Sequence, residues 1–125
     1  MSRDFGLPCD KYDIASAETL VSLGWEKVLP VMPDILEWLQ DINWPVAGVF
    51  RPFLIDVGAP LAPFIKAVLA TDDNVWKYGI LVSVVSQSPE LAAELRLDLE
   101  RLCSNPSAGE QLEGVSELAQ EILAS

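Results

Sequence analysis

The chain has no histidine. The commonest general base, the commonest metal ligand and every Ser-His or Cys-His nucleophile pair are therefore missing. Cysteine is scarce, with Cys9 and Cys103 far apart. Two lone thiols make no zinc site without further Cys or His, and a disulfide-stapled secreted domain carries more of them. Bases are few: 8 Lys and Arg stand against 19 Asp and Glu, for a formal net charge of −11. Nucleic-acid phosphates and anionic membrane surfaces are held by clustered bases, so neither is expected as a partner. The longest apolar run, Gly79 to Val85, falls far short of the roughly 20 residues that span a bilayer. The N-terminal stretch Met1 to Pro8 lacks the apolar core of a signal peptide, so a cytoplasmic protein is expected. The glycines are scattered singly. No Gly-x-Gly-x-x-Gly, phosphate-binding loop or Gly-x-Ser-x-Gly occurs, and no cofactor or resident metal is expected.

What is present is a globular composition. Half of the 125 residues are hydrophobic, enough for a single domain over residues 1–125, with residues 1–10 expected as a flexible N-terminal segment. Apolar residues recur at helical spacing throughout, and no segment shows sustained alternation. Asp13 can cap a helix carrying Ala17, Leu20 and Val21 and closed by Gly24. Pro30 and Pro33 frame the start of the next, where a missing N–H is no loss. Asn43 is placed to cap a helix with Pro45 in its first turn, and Pro52 should kink or split that helix. Gly58 and Pro60 mark a turn, and Asp72 or Asp73 caps a helix from Val75 to about Ser86. That helix is apolar nearly all round and is expected to be the most buried element. Ser88 caps a stripe of Leu91, Leu95, Leu99 and Leu102, the segment 105–109 reads as a loop, and a last helix carries Val115, Leu118, Ile122 and Leu123.

The helices repeat. Pro30-Val31-Met32-Pro33-Asp34-Ile35 matches Pro60-Leu61-Ala62-Pro63-Phe64-Ile65, and the offset of 30 continues through Leu39 and Leu69, Asn43 and Asp73, Phe50 and Ile80, and Leu54 and Val84. A further step puts Leu91, Leu95 and Leu99 on Leu61, Ile65 and Leu69. A period of this size means stacked helix pairs sharing one core.

The turns Asn43-Trp44-Pro45-Val46-Ala47 and Asp73-Asn74-Val75-Trp76-Lys77 resemble the inter-helix turn of HEAT repeats, in which an apolar-then-basic pair follows the cap. Lys77 keeps the basic residue and Ala47 departs from it. The stretch Glu37 to Ala47, with Asp72 to Tyr78 downstream and Asn105-Pro106 near the end, resembles a small bacterial family of HEAT-like helical pairs, known as a domain of unknown function. The likeness runs from about Asp10 to Leu123. It implies an all-α fold, a short right-handed HEAT-like α-α superhelix of about three helix pairs plus a C-terminal helix, and it implies no activity.

Three acidic stripes stand out. Asp34, Glu37 and Asp41 share helical spacing, as do Glu90, Glu94 and Asp98, and Glu113, Glu117 and Glu121. From Glu90 onward the bases are Arg96 and Arg101 alone, with Arg101 near Asp98. Trp38 and Trp76 fall on repeat positions held by Val68 and Val46, so both are expected in the core, and Trp44 is expected to be partly exposed. The function expected is non-catalytic protein binding. The candidate partner-binding residues are Asp41, Asn43, Trp44, Asp72, Asp73 and Lys77 on one edge of turns, and Glu90, Glu94, Glu113 and Glu117 as an acidic field that steers a basic partner. Two alternatives remain open: an immunity-type inhibitor of a basic toxin or nuclease, and a metal-dependent hydrolase using the Asp34-Glu37-Asp41 face.

Overall fold

The carboxylate of Asp13 accepts from the Ser16 N–H at 3.3 Å and starts α1 (Ile14–Leu23), which ends at Gly24. This is a computed structural model, and it describes residues 7–125; the expected flexibility of residues 1–6 concerns positions outside it. Leu7 packs against the core and Pro8 is buried, while Cys9 and Asp10 are exposed. The short α2 (Trp25–Val28) leads into a 3₁₀ turn centred on Pro30 and then α3 (Met32–Glu37), with Pro33 in its first turn.

A second 3₁₀ turn, Trp38–Gln40, ends α3 and precedes α4 (Pro45–Val57). Asn43 is not the cap of α4. Pro45 takes the first helical position and holds its predecessor extended, so Trp44 becomes the flanking residue, with ψ 140° and no side-chain cap. Asn43 lies one position too early and instead donates its N–H to Asp41 Oδ1 at 2.9 Å. Pro52 leaves α4 continuous. It lies on the exposed side, as does Gly48 four residues earlier, whose carbonyl loses its helical partner where water can replace it. Gly58 ends the helix at φ 70°, a conformation that favours glycine.

The offset of 30 recurs in the element boundaries. The 3₁₀ turn Leu29–Val31 corresponds to Ala59–Leu61, and α3 from Met32 corresponds to α5 (Ala62–Leu69) from Ala62. Asp73 accepts from the Trp76 N–H at 3.0 Å and opens α6 (Asn74–Ser83). Ser88 caps α7 (Pro89–Glu94), which breaks at Leu95 into α8 (Arg96–Ser104). The loop expected over 105–109 is shorter, because Ser107 caps α9 (Ala108–Leu112), and α10 (Val115–Ala124) closes the chain. The fold is all-α, with no strand among the described residues.

The core follows the repeat. Val31, Leu61 and Leu91 are buried, as are Ile35, Ile65 and Leu95, and Leu39, Leu69 and Leu99. α10 packs along α8 and α6, and α1 along α4. α6 is less enclosed than its composition implies: Val75 is 57% and Tyr78 38% exposed, while Lys77, Gly79, Ile80 and Leu81 turn inward. On the inward side, Gly79 lets α6 approach the turn at 38–40 so closely that an added Cβ would sit 3.1 Å from the Leu39 carbonyl oxygen. That approach sets Gly79 directly against the turn, while Val75, in the first turn of α6, and Tyr78 stay exposed. No single helix among the described residues is long and apolar enough to cross a membrane.

Candidate functional site

α3 and α5 lie beside one another and leave a groove between them, with Pro33 and Pro63, and Glu37 and Ala67, paired at the offset of 30. Pro33, Leu36 and Glu37 line one side, Pro63, Phe64, Ala67 and Val68 the other, with Thr71 and Trp76 completing it. Its volume is about 350 Å³. The polar atoms that border the groove are already engaged. The Trp76 indole N–H donates to the Leu36 carbonyl at 2.9 Å, and the Thr71 hydroxyl donates to the Val68 carbonyl at 2.7 Å. What is left is an apolar lining with one carboxylate, Glu37, which is exposed and makes no ion pair among the described residues. Lys66, on α5, is exposed and does not line the groove.

A second depression of about 320 Å³ adjoins the first across Glu37. Leu7, Pro8, Asp34, Trp38, Gln40 and Trp44 complete its lining. The indoles of Trp38 and Trp44 meet edge to face, 5.7 Å between centroids at 71°, a favourable aromatic geometry. Trp38 and Trp76 are half-buried rather than fully in the core, each packing on it while lining a depression. The larger repeat-position side chain explains this: an indole overfills the space that Val68 or Val46 occupies in the other copy. Trp44 is also half-buried, as expected.

The most unusual electrostatic feature is inside. Glu110 is 2% and Lys77 3% exposed, and Lys77 Nζ donates to Glu110 Oε2 at 2.8 Å. Arg101 donates through both terminal nitrogens to the same carboxylate, at 2.7 and 3.1 Å, and the Ser107 N–H donates to Oε1 at 2.8 Å. Burial by itself pushes the Glu110 carboxyl up; the hydrogen bonds from Arg101, Lys77 and Ser107 outweigh it and hold the group at about 2. The Ser107 hydroxyl accepts from the Glu110 N–H at 3.1 Å, which completes a capping box. One carboxylate thus ties α6, α8 and α9 together.

These positions redraw the expected sites. Lys77 is not on the turn edge; its ammonium is spent on Glu110. Arg101 serves Glu110, not Asp98. Asp41 and Asn43 are exposed near Trp44, and Asp72 and Asp73 are exposed, with Asp73 engaged as a cap. Asp34, Glu37 and Asp41 do not share a helical face, because α3 stops at Glu37 and Asp41 is extended. Among the described residues no group of three or more Cys, Asp or Glu is arranged to hold a metal ion. Glu90 and Glu94 are exposed on α7, whereas Glu113 and Glu117 border a depression with Tyr78 and Glu121. Cys9 and Cys103 are both free thiols, the first exposed and the second half-buried. A larger hollow of about 630 Å³ between α7, α8 and α10 mixes apolar residues such as Leu99 and Ile122 with Arg96 and Glu100, which pair with each other at 3.1 Å.

Residues 7–123 match a family described as "Domain of unknown function (DUF5071)". The chain belongs to this family. The DUF5071 match begins at Leu7 and ends at Leu123, so both depressions and the buried ion cluster lie within it. No curated protein matches the chain.

Two features escaped the sequence reading. Ser107 and Glu110 have the spacing of a capping box, which could have drawn attention to Glu110. The groove between α3 and α5 was signalled by Pro33 and Pro63 at equivalent positions, read only as helix starts.

Proposed function

We propose that this chain is a non-catalytic protein-interaction module of the bacterial cytoplasm, built on HEAT-like helix pairs. The observation that carries the reading is the apolar groove between α3 and α5, open to solvent, where Thr71 and the Trp76 indole are internally bonded and Glu37 is the one unpaired polar side chain among the described residues that line it. Exposed apolar surface of this kind is retained where a partner covers it. The acid surplus supports the same reading, since a net charge of −11 repels nucleic acid and steers basic proteins.

The depression lined by Tyr78, Glu113, Glu117 and Glu121 favours a second reading, an immunity-type inhibitor that covers a basic toxin or nuclease. In that reading the acids speed association, and the partner is a toxic enzyme whose activity the chain blocks.

Affinity capture tests the module. The immobilised full chain is exposed to extract of the cells that make it, and the retained protein is purified and measured against the chain alone. A single protein bound at fixed stoichiometry is expected. Retention of nothing beyond what an unrelated acidic protein of equal charge retains would end the reading. If the retained protein is a nuclease or toxin whose activity the chain abolishes, the second reading replaces the first.

A further inference from the structure

We propose that the two adjoining depressions form one composite site for a single partner segment that carries two apolar anchor side chains on either side of a Lys or Arg. The proposal rests on the protein-binding reading and names the site and the chemistry of its occupant. The first depression is apolar apart from Glu37, and the second presents the Trp38–Trp44 pair. Glu37 borders both, Asp34 borders the second, and no Lys or Arg among the described residues lines either. Apolar, acidic, apolar is therefore the order across the surface. The complement is an apolar anchor, a base and a second apolar anchor.

The sizes favour side-chain anchors. At about 350 and 320 Å³ the depressions lie at the small end of the roughly 300–1,000 Å³ of small-molecule sites. Both are open; the second adds Asp34 and Gln40 to Glu37, acceptors suited to a base rather than to an anionic cofactor. A second copy of this chain is a poor occupant, because it brings a charge of −11 toward a ridge that is already acidic. The charge that fits the ridge is positive. The binding energy comes from burying the anchors against Phe64, Ala67 and Trp76 on one side and the paired indoles on the other. The base then decides which apolar segments are accepted.

The probe is a display library of random peptides selected on the full chain. The enriched peptides are expected to share two apolar anchors with a Lys or Arg between them. Two variants test the site. Ala67→Glu places a charge in the first depression, and Glu37→Lys reverses the ridge; both positions are exposed, and thermal melts verify that both variants fold. Each is expected to weaken the selected peptide about tenfold or more. Replacing the peptide's base by Glu should restore binding to Glu37→Lys and abolish it for the natural chain. Enrichment of peptides without a base, equal binding to the natural chain and Ala67→Glu, failure of the charge swap, or no enrichment would overturn the proposal. The protein retained from cell extract separates the two claims. If it binds both variants as tightly as the natural chain, the composite site falls and the interaction module stands.

Discussion

Lys77 and Glu110 meet at 2.8 Å with both side chains almost wholly withdrawn from water. A buried charge without its counter-ion is expensive, so the pair constrains what each position tolerates. Glu110→Gln keeps the shape and removes the charge that compensates Lys77. It should cost about 3–5 kcal/mol, a large part of the roughly 5–15 kcal/mol that stabilises a domain. Lys77→Met should cost less, because Glu110 keeps Arg101 and the Ser107 N–H. Denaturant titration of the two variants checks the order. A Glu110→Gln protein as stable as the natural one would mean that the cluster is open to water in solution.

Acid should loosen the same cluster. The folded carboxyl of Glu110 is held at about 2, below its ordinary value of 4.5. A depressed group contributes stability that is fully present above the unfolded value and is lost as pH falls through the folded one. The window is therefore pH 4.5 down to about 2, and the contribution is on the order of 3 kcal/mol. Stability measured across that window should fall steeply for the natural chain and less steeply for Glu110→Gln. Parallel profiles would assign the acid sensitivity to other carboxylates.

Much of this fold was readable from local chemistry. Asp13, Ser88, Pro30 and Pro60 act where their side chains dictate, since caps and first-turn prolines depend on neighbours within four residues. The repeat was readable because its core residues recur at one offset. The ion cluster was not, because Lys77 meets a residue 33 positions away whose burial depends on how α9 docks. The rotation of α6 was hidden for a similar reason. Its apolar residues face nearly every direction, and which of them are buried depends on contacts with distant segments such as the approach of Gly79 to the Leu39 carbonyl. The groove required two helices to be placed side by side, which no window of sequence describes.

Two glycines should respond in opposite ways to the same change. Gly79→Ala gains helix propensity but forces a Cβ to 3.1 Å from the Leu39 carbonyl oxygen and from Ile42 Cγ2. Backbone yields poorly, so a net loss of about 1 kcal/mol is expected. Gly48, inside α4, has nothing within 4 Å of an added Cβ. Gly48→Ala should stabilise by about 0.5–1 kcal/mol. Thermal melts of both decide it, and a stabilising Gly79→Ala would show that α6 stands off from the turn.

The acidic field has its own test. Changing Glu90, Glu94, Glu113 and Glu117 to Gln should leave the fold intact, because all four are exposed. Association with the captured partner should slow far more than dissociation quickens. The difference should shrink as salt rises toward physiological strength, where screening acts over about 8 Å. Equal association rates at low salt would leave these acids with no part in recognition.

The site itself is tested most directly by following the ¹H–¹⁵N spectrum of the full chain as a selected peptide is added. The Trp76 indole N–H, held against the Leu36 carbonyl at the groove, and the amides of Ala67, Val68 and Thr71 lie where the first anchor binds. The account predicts that these signals and the indole N–H groups of Trp38 and Trp44 shift most, and that the shifts vanish in Ala67→Glu and Glu37→Lys. Largest shifts on α10 around Glu113 to Glu121, with the groove signals unmoved, would contradict it.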